Sequence, residues 1–192
     1  VDMNQLPYEH AYFELLERVS MLEAESEGHV DSCLRTFDID FHETAKLPYS
    51  VIFPRSAAPE QWQYSKSNGV ALAANFADAC RSALNELIER DRVLRSWYGE
   101  FSPIQLALPD CIREIAAGLN DVYEISVYQF ESSDDLQDGS KTIGIFAFPK
   151  KQEVPLAFGF ASSSDFHLSL QKAKKECLQR LGFLWEEEIP LI

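Results

Sequence analysis

Three short stretches of the sequence repeat one arrangement of acidic and basic residues. They read ELLER at residues 14–18, ELIER at residues 86–90 and ECLQR at residues 176–180. In an α-helix, residues three apart lie on one face, so each stretch places two oxygen-bearing side chains one turn apart. Paired carboxylates repel and raise each other's pKa. A hard cation such as Mg²⁺, which binds carboxylate, phosphate and water oxygens, would relieve that repulsion.

Each stretch taken alone also fits a solvated helix face, because Glu and Arg are good helix formers and such spacing is common on surfaces. Three copies on the three longest predicted helices, each beside an apolar stripe, leave the two interpretations balanced. A charged surface on a domain of unrelated function therefore stays open as an alternative. Convergence of the acidic edges in one cleft would decide between them.

Composition and charge exclude several classes of function. The chain has 192 residues, with 31 Asp and Glu against 17 Lys and Arg, a net charge of −14. Such an excess argues against binding nucleic acid or an anionic membrane, which both need a positive face. No apolar run approaches the length of about 20 residues that spans a membrane. The four scattered cysteines are typical of buried thiols in a cytoplasmic protein. No P-loop, dinucleotide-binding glycine motif or histidine metal motif is present.

Helical periodicity predicts helices over residues 7–25, 75–98, 109–119 and 166–185. Asn75 is a favourable N-cap residue. Asp78, three residues later, can form the reciprocal capping contact and interact favourably with the positive end of the helix dipole. Strands are predicted over residues 33–39, 49–53, 124–130, 142–148 and 154–160. The order of these elements predicts an α+β fold: one domain over residues 1–192, with a mixed or antiparallel sheet packed against three longer helices.

The segment SNGVALAAN at residues 67–75, followed by ALNELIERD at residues 83–91, resembles the signature of the YcaO family. The first helix is similar to the early A-x-x-E-x-x-E-R-x-S helix of that family. Residues 159–180 resemble its late segment, in which a small-residue loop leads into a helix ending in E-x-x-Q. The resemblance extends over nearly the whole chain in the family's order.

The resemblance implies a domain that binds ATP with Mg²⁺ through acidic helix residues. Members of the family use ATP to phosphorylate a peptide-backbone amide oxygen, which leads to azoline rings, thioamides or amidines. The implied partners are a peptide or protein substrate and a separate substrate-recruiting protein, and a homodimer is one expected assembly. The implied metal ligands are Glu14, Glu17, Asp78, Glu86, Glu89 and Glu176. The implied ATP or phosphate contacts are Arg90, Gln179 and Asn75.

The chain also departs from the family pattern at both ends. Only six residues precede Pro7 and none is a lysine, whereas family members normally supply a basic residue and a hydroxyl to the nucleotide there. Members also continue past the third helix. We therefore expect a minimal relative or a piece of one, incomplete at both ends. The alternative function is a noncatalytic YcaO-like scaffold or partner-binding module that has lost part of the ATP site.

Overall fold

The structure is a computed structural model of the 192-residue chain. It describes residues 12, 15–20, 23, 33–37, 42–48, 68–131 and 139–186. The chain divides into two compact units, Val1–Leu84 and Asn85–Ile192. The interpretation of residues 1–192 as a single domain stays a prediction.

The second unit contains a four-stranded antiparallel sheet and the helices that cover it. Its strands are β3 (Ile104–Leu106), β4 (Tyr123–Gln129), β5 (Lys141–Pro149) and β6 (Ala157–Ser163), which lie in the order β3-β4-β5-β6. All neighbouring strands pair antiparallel. Because each connection is between sequence neighbours, the sheet is a simple meander, and β6 forms one of its edges within the part of the chain that the structure describes.

One face of this sheet carries the hydrophobic core. Side chains alternate along a strand, so β4 and β5 turn every second residue, such as Val127 and Ile145, toward the same layer. Helix α3 (Phe166–Glu186) packs on that layer through Leu170, Ala173 and Cys177, and helix α2 (Asp110–Leu119) contributes Ile112. Small residues on β6 bring α3 close to the edge strand.

The opposite face of the sheet is aromatic and polar. Helix α1 (Phe76–Trp97) begins in the first unit and continues into the second. It is tied to this face by Arg92, whose Nη1 donates to the Ser140 carbonyl at 2.9 Å and to Thr142 Oγ1 at 3.2 Å. The face carries six aromatic side chains from the end of β4, from β5 and from β6, namely Tyr128, Phe130, Phe146, Phe148, Phe158 and Phe160.

In the first unit, β1 (Cys33–Phe37) pairs antiparallel with β2 (Glu43–Pro48), and residues 15–20 are helical. The helical residues agree with the predicted first helix over 7–25, most of which lies outside the described residues. The predicted strand over 49–53 also lies outside them. The prediction missed β2, whose sequence ETAKLP is polar. Cross-strand hydroxyl contacts such as Thr36 with Thr44 at 3.0 Å help to hold this pair.

The α+β fold is confirmed, and the sheets are antiparallel throughout the described residues. The helices agree with their predicted ranges to within one residue at each end. The last strand was predicted at residues 154–160 but is Ala157–Ser163. Val154 N instead closes a turn onto the Lys151 carbonyl, and Pro155 has no N–H for a ladder. None of the described helices is long and apolar enough to cross a membrane.

Candidate functional site

Glu89 is a buried acidic group with a strongly raised pKa. It lies on α1 with 9% of its surface exposed, although it is a carboxylate. Its pKa is raised from 4.5 to about 7, chiefly by burial; Arg90 and Lys172 lower the pKa, and the carboxylates of Glu176 and Glu86 raise it. Desolvation disfavours the charged form and like charges add to that effect. Acidic groups from two helices, Glu86 on α1 and Glu176 on α3, therefore lie within electrostatic range of one buried carboxyl.

The second and third copies of the repeated pattern thus lie within electrostatic range of one another. Glu86 and Glu89 come from one copy, and Glu176 comes from the other, far along the chain. The alternative of an unrelated charged surface depends on whether all three acidic edges converge, and the convergence of all three stays a prediction. Glu17 of the first copy is a half-buried residue of the first unit, while Glu14 lies outside the described residues.

Arg90 is the nearest cation to Glu89, with 3.7 Å between its Nε and Glu89 Oε1. That distance is an ion pair but too long for a hydrogen bond. Arg90 Nε is buried and has no hydrogen-bond partner. A buried donor without an acceptor costs free energy, typically about 1–3 kcal/mol. Arg90 therefore offers an unused N–H beside Glu89.

Glu176 is held by two contacts. Its Oε2 accepts a hydrogen bond from the Phe160 N–H at 2.9 Å, and its Oε1 accepts one from Arg180 Nη2 at 2.9 Å. Arg180 in turn stacks over the Phe158 ring, with 4.3 Å from its guanidinium carbon to the ring centroid. The Glu176 carboxylate therefore links α3 to the strand β6 by a hydrogen bond. It also raises the pKa of Glu89.

Close approach between α3 and β6 makes this contact possible. A Cβ on Gly159 would overlap the Ala173 carbonyl oxygen and would lie 2.5 Å from Cys177 N and 2.9 Å from Glu176 Cβ. Only glycine leaves room for the helix backbone at this distance. The close approach at Gly159 thus lets the Glu176 carboxylate contact the backbone of β6.

The sequence prediction missed two cations, Lys172 near Glu89 and the buried Arg92 on the same helix as Glu89. Lys172 lies one helical turn before Glu176 and lowers the pKa of Glu89. Arg92 lies three residues after Glu89 and is 1% exposed. The i, i+3 and i, i+4 spacings were visible in the sequence, but charged residues at those positions are usually solvated. The acceptors of Arg92 on β5 could not be read from the helix alone.

Asn75 and Asp78 form a reciprocal cap at the start of α1. Asn75 Oδ1 accepts from the Asp78 N–H at 2.9 Å, and Asn75 Nδ2 donates to Asp78 Oδ2 at 2.7 Å. Asp78 also lies 3.3 Å from Arg81. The predicted capping is confirmed, and the assignment of these two residues to metal and ATP stays a prediction. Gln179 is exposed on α3, so its role is likewise a prediction.

The chemistry of the acidic side chains fits Mg²⁺. Mg²⁺ in nucleotide sites is usually held by one or two carboxylates together with substrate phosphates and water. Glu86 and Glu89 stand one turn apart with Glu176 nearby, and their mutual repulsion is what a divalent cation relieves. Among the described residues, no group of three or more His, Cys, Asp or Glu side chains already stands close enough to hold a metal ion.

Cys177 is a core residue, as predicted. It is 3% exposed, and burial, followed by the neighbouring Glu176 charge, raises the pKa of its thiol to about 11. A thiol that keeps its proton is a poor nucleophile. The cysteines described in full, Cys80, Cys111 and Cys177, are free.

Comparison with known proteins gives the family. Residues 26–187 match the family model described as YcaO cyclodehydratase, ATP- and Mg²⁺-binding. The chain belongs to the YcaO family. No curated protein matches it.

Solved structures with the same fold include three that are informative. The E. coli microcin synthetase McbBCD complex with pro-MccB17 bound aligns with a TM-score of 0.66 and 17% identity, over 80% of this chain and 41% of that one. The YcaO from Methanopyrus kandleri bound with AMPPCP and Mg²⁺ aligns with a TM-score of 0.63 and 20% identity, over 83% and 43%. The heterocyclase TruD aligns with a TM-score of 0.62 and 19% identity, over 79% and 22%. The chain therefore spans less than half the length of these proteins.

Proposed function

We propose that this chain supplies the Mg²⁺–ATP site for ATP-dependent modification of peptide-backbone amides, by cyclodehydration or thioamidation. The observation that carries the proposal is the buried Glu89 carboxyl, flanked by Glu86 and by Glu176 from a second helix, in a member of the YcaO family. Perturbed carboxyls gathered from distant parts of a chain are typical of functional sites. A YcaO structure of the same fold is bound with AMPPCP and Mg²⁺.

In this proposal, Glu86 and Glu89 hold the cation, and Glu176 contributes from the second helix. Glu14, Glu17 and Asp78 are the remaining proposed metal ligands. The unused Nε–H of Arg90 donates to a phosphate oxygen or to the oxygen that receives the phosphoryl group. Gln179 and Asn75 are proposed further contacts to the nucleotide. Mg²⁺ supplies charge stabilisation for the transferred phosphoryl group.

For ring formation, the proposed reaction needs ATP as its only co-substrate. The amide oxygen takes the γ-phosphoryl group and ADP is released. A Cys, Ser or Thr side chain of the peptide adds to the amide carbon, the side-chain S–H or O–H proton and the amide N–H proton are released to solvent, and the oxygen departs as phosphate. Thioamidation requires an external sulfur nucleophile in place of that side chain. The peptide and a separate recruiting protein are the proposed partners, in line with the McbBCD complex that was solved with pro-MccB17.

Calorimetry with AMPPCP at millimolar Mg²⁺ tests the site. The double variant Glu86→Gln/Glu89→Gln keeps the shape of both side chains and removes both charges. We expect its Kd to rise at least about tenfold, which corresponds to about 1.4 kcal/mol. The matched control is Asp110→Asn/Glu114→Gln, which removes two exposed acidic charges from α2 and should leave the Kd unchanged. Equal effects of both double variants would contradict the assignment.

The second candidate is a noncatalytic scaffold of the same fold. The contacts of Glu176 favour it, because both of its oxygens already accept hydrogen bonds from Phe160 N and Arg180. In that case the carboxylate serves to dock α3 on β6. Absence of Mg²⁺–nucleotide binding by the wild-type chain would favour this candidate over the enzyme.

A further inference from the structure

A cavity of about 610 Å³ lies between the second half of α1 and the aromatic face of the sheet. All of its walls belong to the second unit. Its volume falls within the roughly 300–1,000 Å³ of ligand pockets. The six aromatic side chains of β4–β6 form its floor, and Arg90 and Val93 stand on its helix side. The rest of the lining is Ser96, Trp97, Pro103 and Leu156.

The floor is preformed by interlocking rings. Phe146 stacks on Phe148 at 5.4 Å and meets Tyr128 and Phe160 edge to face at 5.6 and 5.4 Å. Phe130 and Phe160 fold over Gly144, where a Cβ would lie 2.6 Å from the Phe130 ring. Such pairs resist rearrangement because each ring is fixed by its neighbours. The floor of the pocket is therefore formed and apolar before any ligand enters.

Part of this apolar surface faces solvent. Trp97 is 84% exposed, Leu156 43% and Phe148 38%. Clustered exposed apolar side chains around a concavity mark a binding site more often than scattered ones do. A bulky apolar side chain that binds here would remove apolar surface of both the pocket and the ligand from water, which favours binding. The ligand must accordingly present an apolar group, aromatic or branched.

The polar contact available to that ligand is with Arg90. Arg90 lines the pocket, and its buried Nε–H, which has no acceptor, lies beside Glu89. Glu86 and Glu176 lie near Glu89, so an anion that is not paired with a cation would be repelled by carboxylates there. A neutral acceptor avoids this repulsion. The backbone carbonyl of a peptide is such an acceptor, and it carries an apolar side chain within reach.

We propose that this pocket receives a bulky apolar side chain of the substrate peptide, next to a backbone carbonyl that accepts from Arg90 Nε–H. The pocket would then select peptides with an aromatic or branched aliphatic residue beside the modified amide. This inference rests on the proposed function in naming the ligand a substrate. The pocket itself is defined by Val93, Ser96, Trp97 and the aromatic face.

Calorimetry of the 192-residue chain with two blocked tetrapeptides tests the inference. The probes are acetyl-Gly-Phe-Leu-Gly-amide and acetyl-Gly-Ala-Ala-Gly-amide, with Mg²⁺–AMPPCP binding measured on the same samples. We expect the Phe-Leu peptide to bind at least about tenfold more tightly than the Ala-Ala peptide. Equal affinities, or no binding because another segment fills the pocket, would overturn the inference.

Variants separate the pocket from the nucleotide site. Ser96→Phe should fill the cavity and abolish the preference for Phe-Leu, whereas Ser102→Phe makes the same change at an exposed position outside the lining. Leu156→Asn alters only the exposed rim, so it keeps the test valid if Ser96→Phe fails to fold. It should weaken Phe-Leu binding several-fold. Unchanged peptide binding in Leu156→Asn and Ser96→Phe would overturn the inference.

The nucleotide measurement distinguishes the two hypotheses. Mg²⁺–AMPPCP binding without peptide preference supports the proposed function and overturns the peptide pocket. Peptide preference that Ser96→Phe removes, without nucleotide binding, supports the pocket and overturns the proposed function. Both results together support a substrate pocket beside an ATP site.

Discussion

At the scale of single residues, the ionised Glu89 side chain lowers the free energy of unfolding of the folded protein. Its carboxyl is buried near acidic neighbours, and its pKa is raised to about 7. The folded protein therefore binds a proton there between about pH 4.5 and 7 that the unfolded chain releases. Because the folded state binds more protons in this range, this group lowers stability as the pH rises through it.

Glu89→Gln should show this cost directly. In EDTA, the variant should equal the wild type near pH 4.5 and exceed it at pH 8 by up to about 3 kcal/mol, the free energy of a shift of this size. Urea unfolding at both pH values measures it. Glu114→Gln on the exposed face of α2 is the control and should show no pH-dependent gain. A Glu89→Gln variant without added stability at pH 8 would refute the shift.

Gly159 determines the contact between α3 and β6 by having no side chain. Gly159→Ala should destabilise the protein by about 1–3 kcal/mol, because the Cβ meets the backbone of Ala173 and Cys177. Gly118→Ala has open space around the Cβ inside a helix and should instead stabilise by about 0.5–1 kcal/mol. Thermal unfolding of both variants gives the comparison. A neutral Gly159→Ala would show that α3 can move away freely.

At the scale of elements, one buried guanidinium fastens α1 to β5. Arg92 donates to the Ser140 carbonyl and to Thr142 Oγ1, and Thr142 Oγ1 donates to Ser162 Oγ on β6 at 3.2 Å. A hydrogen-bonded chain thus runs from the helix across two strands. It holds the helix that carries Glu86, Glu89 and Arg90 in register with the sheet.

Arg92→Met should cost about 2–4 kcal/mol, because it leaves buried acceptors on β5 without a donor. Arg81→Met, on the same helix, changes a side chain that is 68% exposed and should cost less than about 0.5 kcal/mol. Chemical denaturation measures both. A similar small loss in the two variants would mean that Arg92 is not the fastening contact.

The sequence predicts a structural feature well when the interactions that produce it are between residues close together in the chain. The Asn75 cap and the α1 periodicity are local, and α1 was predicted to within one residue. The proximity of Glu89 to Glu176 depends on the sheet order and on Gly159, so periodicity could not show it. The family resemblance named these residues, but the aromatic face was missed because its rings come from three strands whose register was unknown.

At the scale of the whole molecule, the excess of 14 negative charges acts on stability as well as on partners. Like charges on a compact chain repel, and monovalent salt screens that repulsion. Some of the excess is concentrated around Glu89, where burial limits screening. Stability should therefore respond to salt chiefly through the exposed charges.

Raising NaCl from about 20 to 500 mM without Mg²⁺ should raise the Tm by a few degrees, since about 1 kcal/mol shifts a chain of this size by roughly 2–4 °C. Differential scanning calorimetry measures the change, with sucrose as a control for solvent exclusion at constant ionic strength. A Tm that falls with salt would show that favourable ion pairs outweigh repulsion in this molecule.

The hydrogen bond from Phe160 N–H to Glu176 has a consequence for how the sheet can grow. β6 is an edge strand, and an edge amide is the group that an incoming strand would pair with. While the carboxylate occupies that amide, another chain cannot be added to the sheet at this point. A Glu176 drawn away by a cation would uncover the amide, so hydrogen exchange at Phe160 would quicken as the metal bound. The hydrogen-exchange rate of the Phe160 amide would thus report whether Glu176 still accepts its hydrogen bond.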